Sequence, residues 1–405
     1  MQPFRAMGVA GAGDRVADGG GDGGSPGEED GMNDAELRAR LVERLTGSGL
    51  LRTEPWCEAV SAVPRHEFLR GGFFEQVDGA MPTAWTPVMQ DDPRWLESCY
   101  EDASLVTQIA GTIVPGDIRG EITRAPTSSS TMPGLIVRML EDLQVDDGHR
   151  VLEIGTGTGY STALMCHRLG DDMVTSVEVD ENVSTRARTA LGQCGYAPNL
   201  IVGDGLAGYK DGAPYDRVIA TCGLLSVPRE LIEQTRPGGT ILVTLCGWLY
   251  SSELARLTVH EDGTASGRFL GGEISFMLAR PHFPPPLGLL PDLDDGDERP
   301  AALGADVIDD WNTRFVAQLA APRVQQVVLT RDGRTERLLL DAATGAWAVL
   351  WERHGQWMVR QSGQSRIWDA VEEHITRWRA AGAPPLERFE IAVSSDRPSI
   401  TWPGD

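Results

Sequence analysis

One stretch of the chain has residue types and spacing suited to holding a nucleoside. Val151, Leu152, Glu153 and Ile154 lead into Gly155, Thr156, Gly157, Thr158, Gly159 and Tyr160. Alternating glycines let the backbone come close to a ligand, and amides at the start of a following helix face it. A dinucleotide fingerprint needs glycine at the sixth position of this run, where Tyr160 stands, so the pattern departs from it. Glu178 follows Thr175, Ser176 and Val177, and is followed by Val179 and Asp180. An acid there can accept from both hydroxyls of a ribose. Gly203, Asp204 and Gly205 offer a carboxylate to an adenine amino group. Tyr215, Asp216, Arg217 and Val218, then Arg236, Pro237, Gly238 and Gly239, complete the set.

The elements that must position these residues follow from the apolar periodicity. Short apolar runs at 151–154, 174–177, 200–202, 217–220 and 240–244 alternate with helical stretches. Such runs suit strands buried on both faces. The alternation predicts an α/β fold, a doubly wound, Rossmann-like parallel sheet with helices on both faces. The residues above then lie at strand carboxyl ends, where open sheets bind ligands. An acid before the turn (Glu153) with alternating glycines is the form used for S-adenosylmethionine. Strand alternation continues over 256–279 about Glu261, Asp262 and Gly263. Upstream, Asp34 is the expected N-cap of a helix over 35–45. A short helix at 56–63 stops at Pro64. Pro133–Leu143 reads as a helix with Leu135, Ile136, Met139, Leu140 and Leu143 on one face. Residues 69–127, with several Pro and Gly, read as irregular.

Composition divides the chain. Residues 1–33 are a Gly, Asp and Glu tail, expected to be disordered. Residues 34–285 read as one unit, with a helical, substrate-side part over 34–145 and the nucleoside core over 146–285. Residues 286–303, proline-rich and acidic, read as a linker. Residues 304–405 read as a smaller α+β domain. It carries a helix at 305–320, strands near 325–329, 336–340, 346–351 and 356–360, a helix at 367–381, and strands near 388–393 and 399–402. Seven of the 11 tryptophans lie between Trp311 and Trp402. Core packing accounts for most of them, and exposed ones would make a peptide platform.

The chain has 36 basic and 59 acidic residues and a net charge of −23. That balance opposes binding to nucleic acid, which runs on Lys and Arg contacts to phosphate. Basic clusters that hold proteins to anionic membranes are missing as well. No apolar run is long enough to cross a bilayer and no secretory signal is read, so a cytoplasmic protein is expected. Six cysteines without CxxC spacing and seven histidines without an HxxxH pair predict no metal and no disulfide framework. A monomer is the expected state.

Further residues carry a resemblance. Val63, Pro64, Arg65, His66, Glu67 and Phe68, then Cys99, Tyr100, Glu101 and Asp102, join the run at 151–159 and the Tyr215 to Val218 stretch. Together, over about residues 34–280, they resemble the protein-L-isoaspartate O-methyltransferase family. The resemblance implies a doubly wound S-adenosylmethionine-binding sheet and methyl esterification of isoaspartyl carboxylates in a protein or peptide substrate. In that reading Glu153, Gly155, Thr156, Gly157, Gly159, Tyr160, Glu178, Val179, Gly203, Asp204 and Gly205 hold S-adenosylmethionine. The family carries a Thr-Ile-Ser-x-Pro element before the helix that Pro133 opens. Here Thr131 falls on its Ser and Ser129 on its Thr. Ser129, Ser130 and Thr131 are thereby the expected catalytic residues, donors that hold the acceptor carboxylate. That carboxylate, with a reference pKa near ~4, is ionised at neutral pH and needs no general base. It needs in-line approach and exclusion of water, and orientation can supply roughly 7–11 kcal/mol.

Two departures matter. The loop over 71–127 is longer than the family's, and the family is expected to lack a domain like 300–405. With that extension the chain resembles actinobacterial homologues encoded beside ribosomally made peptides such as lanthipeptides and graspetides. The activity then expected is methylation of an ordinary aspartate in a constrained peptide, the ester collapsing to aspartimide or isoaspartate. Two alternatives stand beside it, a broad isoaspartyl repair methyltransferase and a peptide-docking module that transfers nothing. Arg65 pairs with a peptide carboxylate or holds its loop, and His66 is read as structural.

Overall fold

The computed structural model describes residues 32–394 and 398–404. The expected disordered tail lies outside them except for Met32 and Asn33. Asn33, rather than Asp34, caps the first helix, Asp34–Gly47. Its Oδ1 accepts from the Ala35 and Glu36 amides, and the Glu36 carboxylate accepts from the Asn33 amide. This reciprocal box satisfies orphan donors at both positions.

The central sheet has nine strands. From one edge they run Pro398–Thr401, Glu390–Val393, Ala265–Phe269, Ser252–Val259, Thr235–Cys246, Tyr215–Leu224, Val151–Ile154, Val174–Glu178 and Asn199–Val202. The last five are parallel and the rest antiparallel. Strand order reverses on either side of Val151–Ile154, which opens a crevice at the carboxyl ends there. Successive residues point to opposite faces and feed different cores. Leu152, Val218, Ile241 and Val243 join one, and Val151, Ile219 and Leu242 join the other with Leu41, Val60 and Leu140 of the N-terminal helices. The structure is thus the α/β, doubly wound arrangement expected.

Residues 69–127 are not irregular. Strands Trp85–Val88, Phe73–Gln76, Leu105–Ile109 and Pro126–Ser130 form, in that order, a small antiparallel sheet. Phe74, Trp85, Val106 and Ile109 make a core of their own. Pro87 sits on the outer strand, where a missing ladder donor is tolerated.

Downstream, a five-stranded antiparallel sheet runs Asp297–Pro300, Gln356–Ser362, Trp347–Arg353, Arg334–Leu340 and Gln325–Arg331. Its first strand falls within the expected linker. Helices Trp311–Ala320 and Ile367–Ala380 pack together. Phe315, Trp368, Ile375 and Phe389 share one continuous core with Leu152 and Val243. The final two strands, read as part of a separate domain, extend the central sheet instead: Glu390–Val393 pairs with Ala265–Phe269, and Pro398–Thr401 pairs with Glu390–Val393. Trp347, Trp351, Trp368, Trp378 and Trp402 are buried, so packing accounts for most of the downstream tryptophans. Among the described residues no helix is long and apolar enough to cross a membrane.

Candidate active site

The crevice at the reversal point opens into a cavity of about 310 Å³ between the central sheet and the small sheet. Gly155, Thr156, Gly157, Tyr160, Glu178, Val179, Asp204 and Gly205 line one side. Gly155 has φ +95°, and a Cβ there would meet Thr221 Oγ1 at 2.9 Å. A Cβ on Gly205 would meet Ile154 Cγ2 at 2.4 Å, so only glycine lets that strand end close on its neighbour.

Glu178 is 8% exposed. Its Oε2 accepts from the Gly157 amide at 3.0 Å and its Oε1 from the Asp180 amide at 3.1 Å. Burial pushes its carboxyl above the ordinary range, while those two amides and the Arg280 guanidinium pull it back. Asp204 is exposed, and its Oδ1 accepts from the Leu206 amide at 2.9 Å. Val179 is 42% exposed beside it on the cavity wall.

Three expected cofactor residues stand behind the wall. Glu153 is fully buried, and Ser161, Thr162 and Ser176 hydroxyls donate to its carboxylate at 2.5, 2.5 and 2.7 Å. Burial pushes its pKa up to about 6, against the pull of those hydroxyls. Its work is to hold the glycine turn from within, because Ser176 also hydrogen-bonds Thr156 Oγ1 at 2.6 Å. Gly159 caps helix Tyr160–Leu169. Gly203 donates its amide to the Glu178 carbonyl at 2.9 Å. Tyr160, though on the wall, is 3% exposed, and its ring packs on Phe68.

The other side of the cavity is built by the strand Pro126–Ser130. Ser129, Ser130 and Thr131 all line it, with Phe74, Trp85 and Leu105 nearby. Ser130 is 1% exposed, and its Oγ has no hydrogen-bond partner among the described residues. Arg65 is fully buried beneath this strand. Its guanidinium donates to the carbonyls of Cys99, Glu101, Ala103, Ser130 and Thr131 at 2.9–3.3 Å. It therefore holds the loop and meets no carboxylate. His66 bonds the Tyr100 hydroxyl at 2.7 Å and Glu67 at 3.2 Å, in keeping with a structural role. Ser129 and Ser130 end that strand, and Thr131 leads into helix Pro133–Leu143.

Sequence reasoning missed the third wall, residues 275–281, and with it Arg280. Thr221 and Cys222 were also unforeseen. Thr221 donates to the Gly155 carbonyl at 2.5 Å, and burial pushes the Cys222 thiol up to about 12, so it stays protonated. The wall carries four carboxylates, Glu75, Glu101, Glu178 and Asp204, against the one guanidinium of Arg280.

The family model described as Protein-L-isoaspartate(D-aspartate) O-methyltransferase (PCMT) matches residues 107–271. A Protein-L-isoaspartate O-methyltransferase of Methanopyrus kandleri is 33% identical over 238 residues, 58% of this chain and 88% of that one. One from Methanosarcina mazei is 36% identical over 231 residues, 56% of this chain and 76% of that protein. A solved structure titled Protein-L-isoaspartate O-methyltransferase superposes with a TM-score of 0.53 at 22% identity, covering 90% of this chain and 99% of its own. That coverage reaches into the downstream residues, whereas the matches to the two sequence relatives cover 58% and 56% of this chain.

Proposed function

Because the chain belongs to the protein-L-isoaspartate O-methyltransferase family, we propose that it esterifies isoaspartyl carboxylates of proteins and peptides. The cofactor is S-adenosylmethionine, which when bound supplies a methyl group on a sulfonium. The observation that carries the reading is that one cavity joins Glu178 and Asp204 to the hydroxyls of Ser129, Ser130 and Thr131.

The residues present fit that cofactor. Glu178 is placed at a strand end to accept from ribose hydroxyls, and Asp204 to accept from an adenine amino group. Four carboxylates against one guanidinium give a negative wall that favours a ligand with cationic groups. Ser129, Ser130 and Thr131 donate to the acceptor carboxylate without putting a positive charge beside the sulfonium. Ser130 brings a buried hydroxyl with no other partner to satisfy. Phe74, Trp85 and Leu105 exclude water near that carboxylate. It arrives ionised, so the chain's work is to align it and keep it dry.

The narrower reading is a dedicated enzyme for an ordinary aspartate in a constrained, ribosomally made peptide. It rested on residues 300–405 being foreign to the family. Their last strands complete the central sheet, and a fold of nearly this extent occurs under the family's name. Both facts support the general reading. Competition between an isoaspartyl peptide and a constrained peptide with ordinary aspartate, followed by mass spectrometry, tests it. One methyl on the isoaspartyl peptide is expected. Methylation of the constrained peptide alone would establish the dedicated enzyme, and binding of S-adenosylhomocysteine with no transfer to either would leave a docking module.

A further inference from the structure

We propose that Arg280 is a positioning residue that fixes the cofactor side of the cavity against its acceptor side. The inference rests on the reading above, in which Glu178 holds the cofactor and the strand Pro126–Ser130 holds the carboxylate.

The two sides belong to different sheets, so something must set their separation. Arg280 Nη2 donates to Asp180 Oδ2 at 2.6 Å and to Gln108 Oε1 at 3.2 Å. Asp180 belongs to the cofactor side. Its amide donates to Glu178 Oε1, and its Oδ1 caps helix Glu181–Gln193 by accepting from the Asn182 and Val183 amides. Gln108 belongs to the acceptor side. It lies opposite Ser128, and the ladder slips on both sides of that pair. Such an irregularity re-aims a side chain. Here the Gln108 Nε2 donates to Asp180 Oδ2 at 3.2 Å, while its Oε1 also accepts from Thr127 Oγ1 at 2.9 Å. Gln108 is 1% exposed and Asp180 7%, while the Arg280 side chain, 32% exposed, reaches them from the cavity rim.

The Arg280 side chain is not what holds its own segment in place. Backbone bonds do that: the Gly223 amide donates to the Met277 carbonyl at 2.8 Å, and the Ala279 amide to the Gly223 carbonyl at 2.9 Å. The guanidinium adds the bridge between sheets. Both bonds come from Nη2, whose two N–H groups are fixed in the guanidinium plane, whereas an ammonium is a point charge with rotating donors.

In-line transfer is sensitive to spacing, and a misplacement of about 1 Å costs roughly a hundredfold. Arg280→Met is therefore expected to lower kcat about tenfold to a hundredfold. The KM for an isoaspartyl peptide and the Kd for S-adenosylhomocysteine should each stay within about threefold, with kcat counted per site titrated by S-adenosylhomocysteine so that a lost folded fraction does not enter it. Arg280→Lys should fall between. Gln108→Leu added to Arg280→Met should cost less than the two separate losses combined, because both act on one bridge.

A kcat within about twofold of wild type for Arg280→Met would overturn the proposal. So would a rise in peptide KM matching the whole loss in kcat/KM, since that would put Arg280 on the acceptor itself. If Arg280→Met also unfolds at a lower temperature, Arg280→Lys decides, and full activity there has the same force. Wild-type protein that methylates no isoaspartyl peptide would sink the functional reading instead, so the two failures are distinct.

Discussion

Replacing Glu178 separates cofactor binding from folding. Its carboxylate accepts two backbone amides, those of Gly157 and Asp180. In the proposed complex it also accepts two ribose hydroxyls. A hydrogen bond to a charged group contributes about 1.5–3 kcal/mol, so losing both hydroxyl contacts removes roughly 3–6 kcal/mol. At about 1.4 kcal/mol per decade, Glu178→Ala should weaken S-adenosylhomocysteine by about a hundredfold or more. Glu178→Gln keeps one acceptor oxygen and should lose about half that energy, roughly tenfold to a hundredfold in Kd. The Asp180 amide is buried, so the Ala variant should also lose about 1–3 kcal/mol of stability through an unpaired donor. Titration calorimetry reads the first effect and denaturant unfolding the second. Because the carboxylate is the accepting form and burial raises its pKa, affinity should fall as the solution is made acidic. If both variants bind S-adenosylhomocysteine within about threefold of wild type, Glu178 is not the ribose acid and the site is misassigned.

Three other outcomes are expected. Ser130→Ala removes a buried hydroxyl that has no partner, so its unfolding midpoint should hold or rise while methyl transfer falls at least about tenfold; unchanged transfer would remove Ser130 from the acceptor set. Burial pushes Glu253 up to about 7 from 4.5, with Glu387 adding repulsion and the Trp311 indole and Arg138 opposing it. A raised folded-state value means the stability is fully present below pH 4.5 and is lost as pH rises through about 7, by roughly 3 kcal/mol. Glu253→Gln should thus flatten the pH dependence of unfolding and be the more stable form at pH ~8, and a parallel pH profile in the two proteins would contradict this. A chain cut after residue 385 loses Phe389, Ile391, Val393 and Trp402, all buried in the shared core. At about 1.5–3 kcal/mol each, that is at least ~6 kcal/mol, comparable to a whole protein's stability, so it should be insoluble or unfolded by circular dichroism. A soluble, cooperatively folding product would show that the last two strands are not needed for the shared core.

The parallel strands were legible as apolar, largely β-branched runs, three of which end at an acid or before a glycine: Val151–Ile154, Val174–Glu178 and Asn199–Val202. Glu178 and Asp204 were legible for the same reason, being polar residues at the ends of apolar runs. Glu153 misled. An acid inside a strand buried on both faces must find partners inside, and the nearby hydroxyls of Ser161, Thr162 and Ser176 were the available signal. The small sheet stayed hidden because its strands are four or five residues long, two of them containing Pro, too short for a period of two to emerge. Arg280 gave no local signal, since its partners Asp180 and Gln108 are 100 and 172 positions away. The strands at 390–393 and 398–401 were expected as strands, but alternation does not say which edge a strand will join.

The pairing of Glu390–Val393 with Ala265–Phe269 sets a timetable for synthesis. A ribosome delivers the first partner well before the second, with residues 270–389 still to be made. At roughly 5–20 residues per second, the strand at 265–269 waits on the order of ten seconds with one row of amides and carbonyls unclaimed. During that interval the nascent chain presents an open template to any other extended segment, its neighbours on a polysome included. Production of the intact protein should therefore be more sensitive to holdase chaperones, and to slow codons between 270 and 389, than the finished fold suggests.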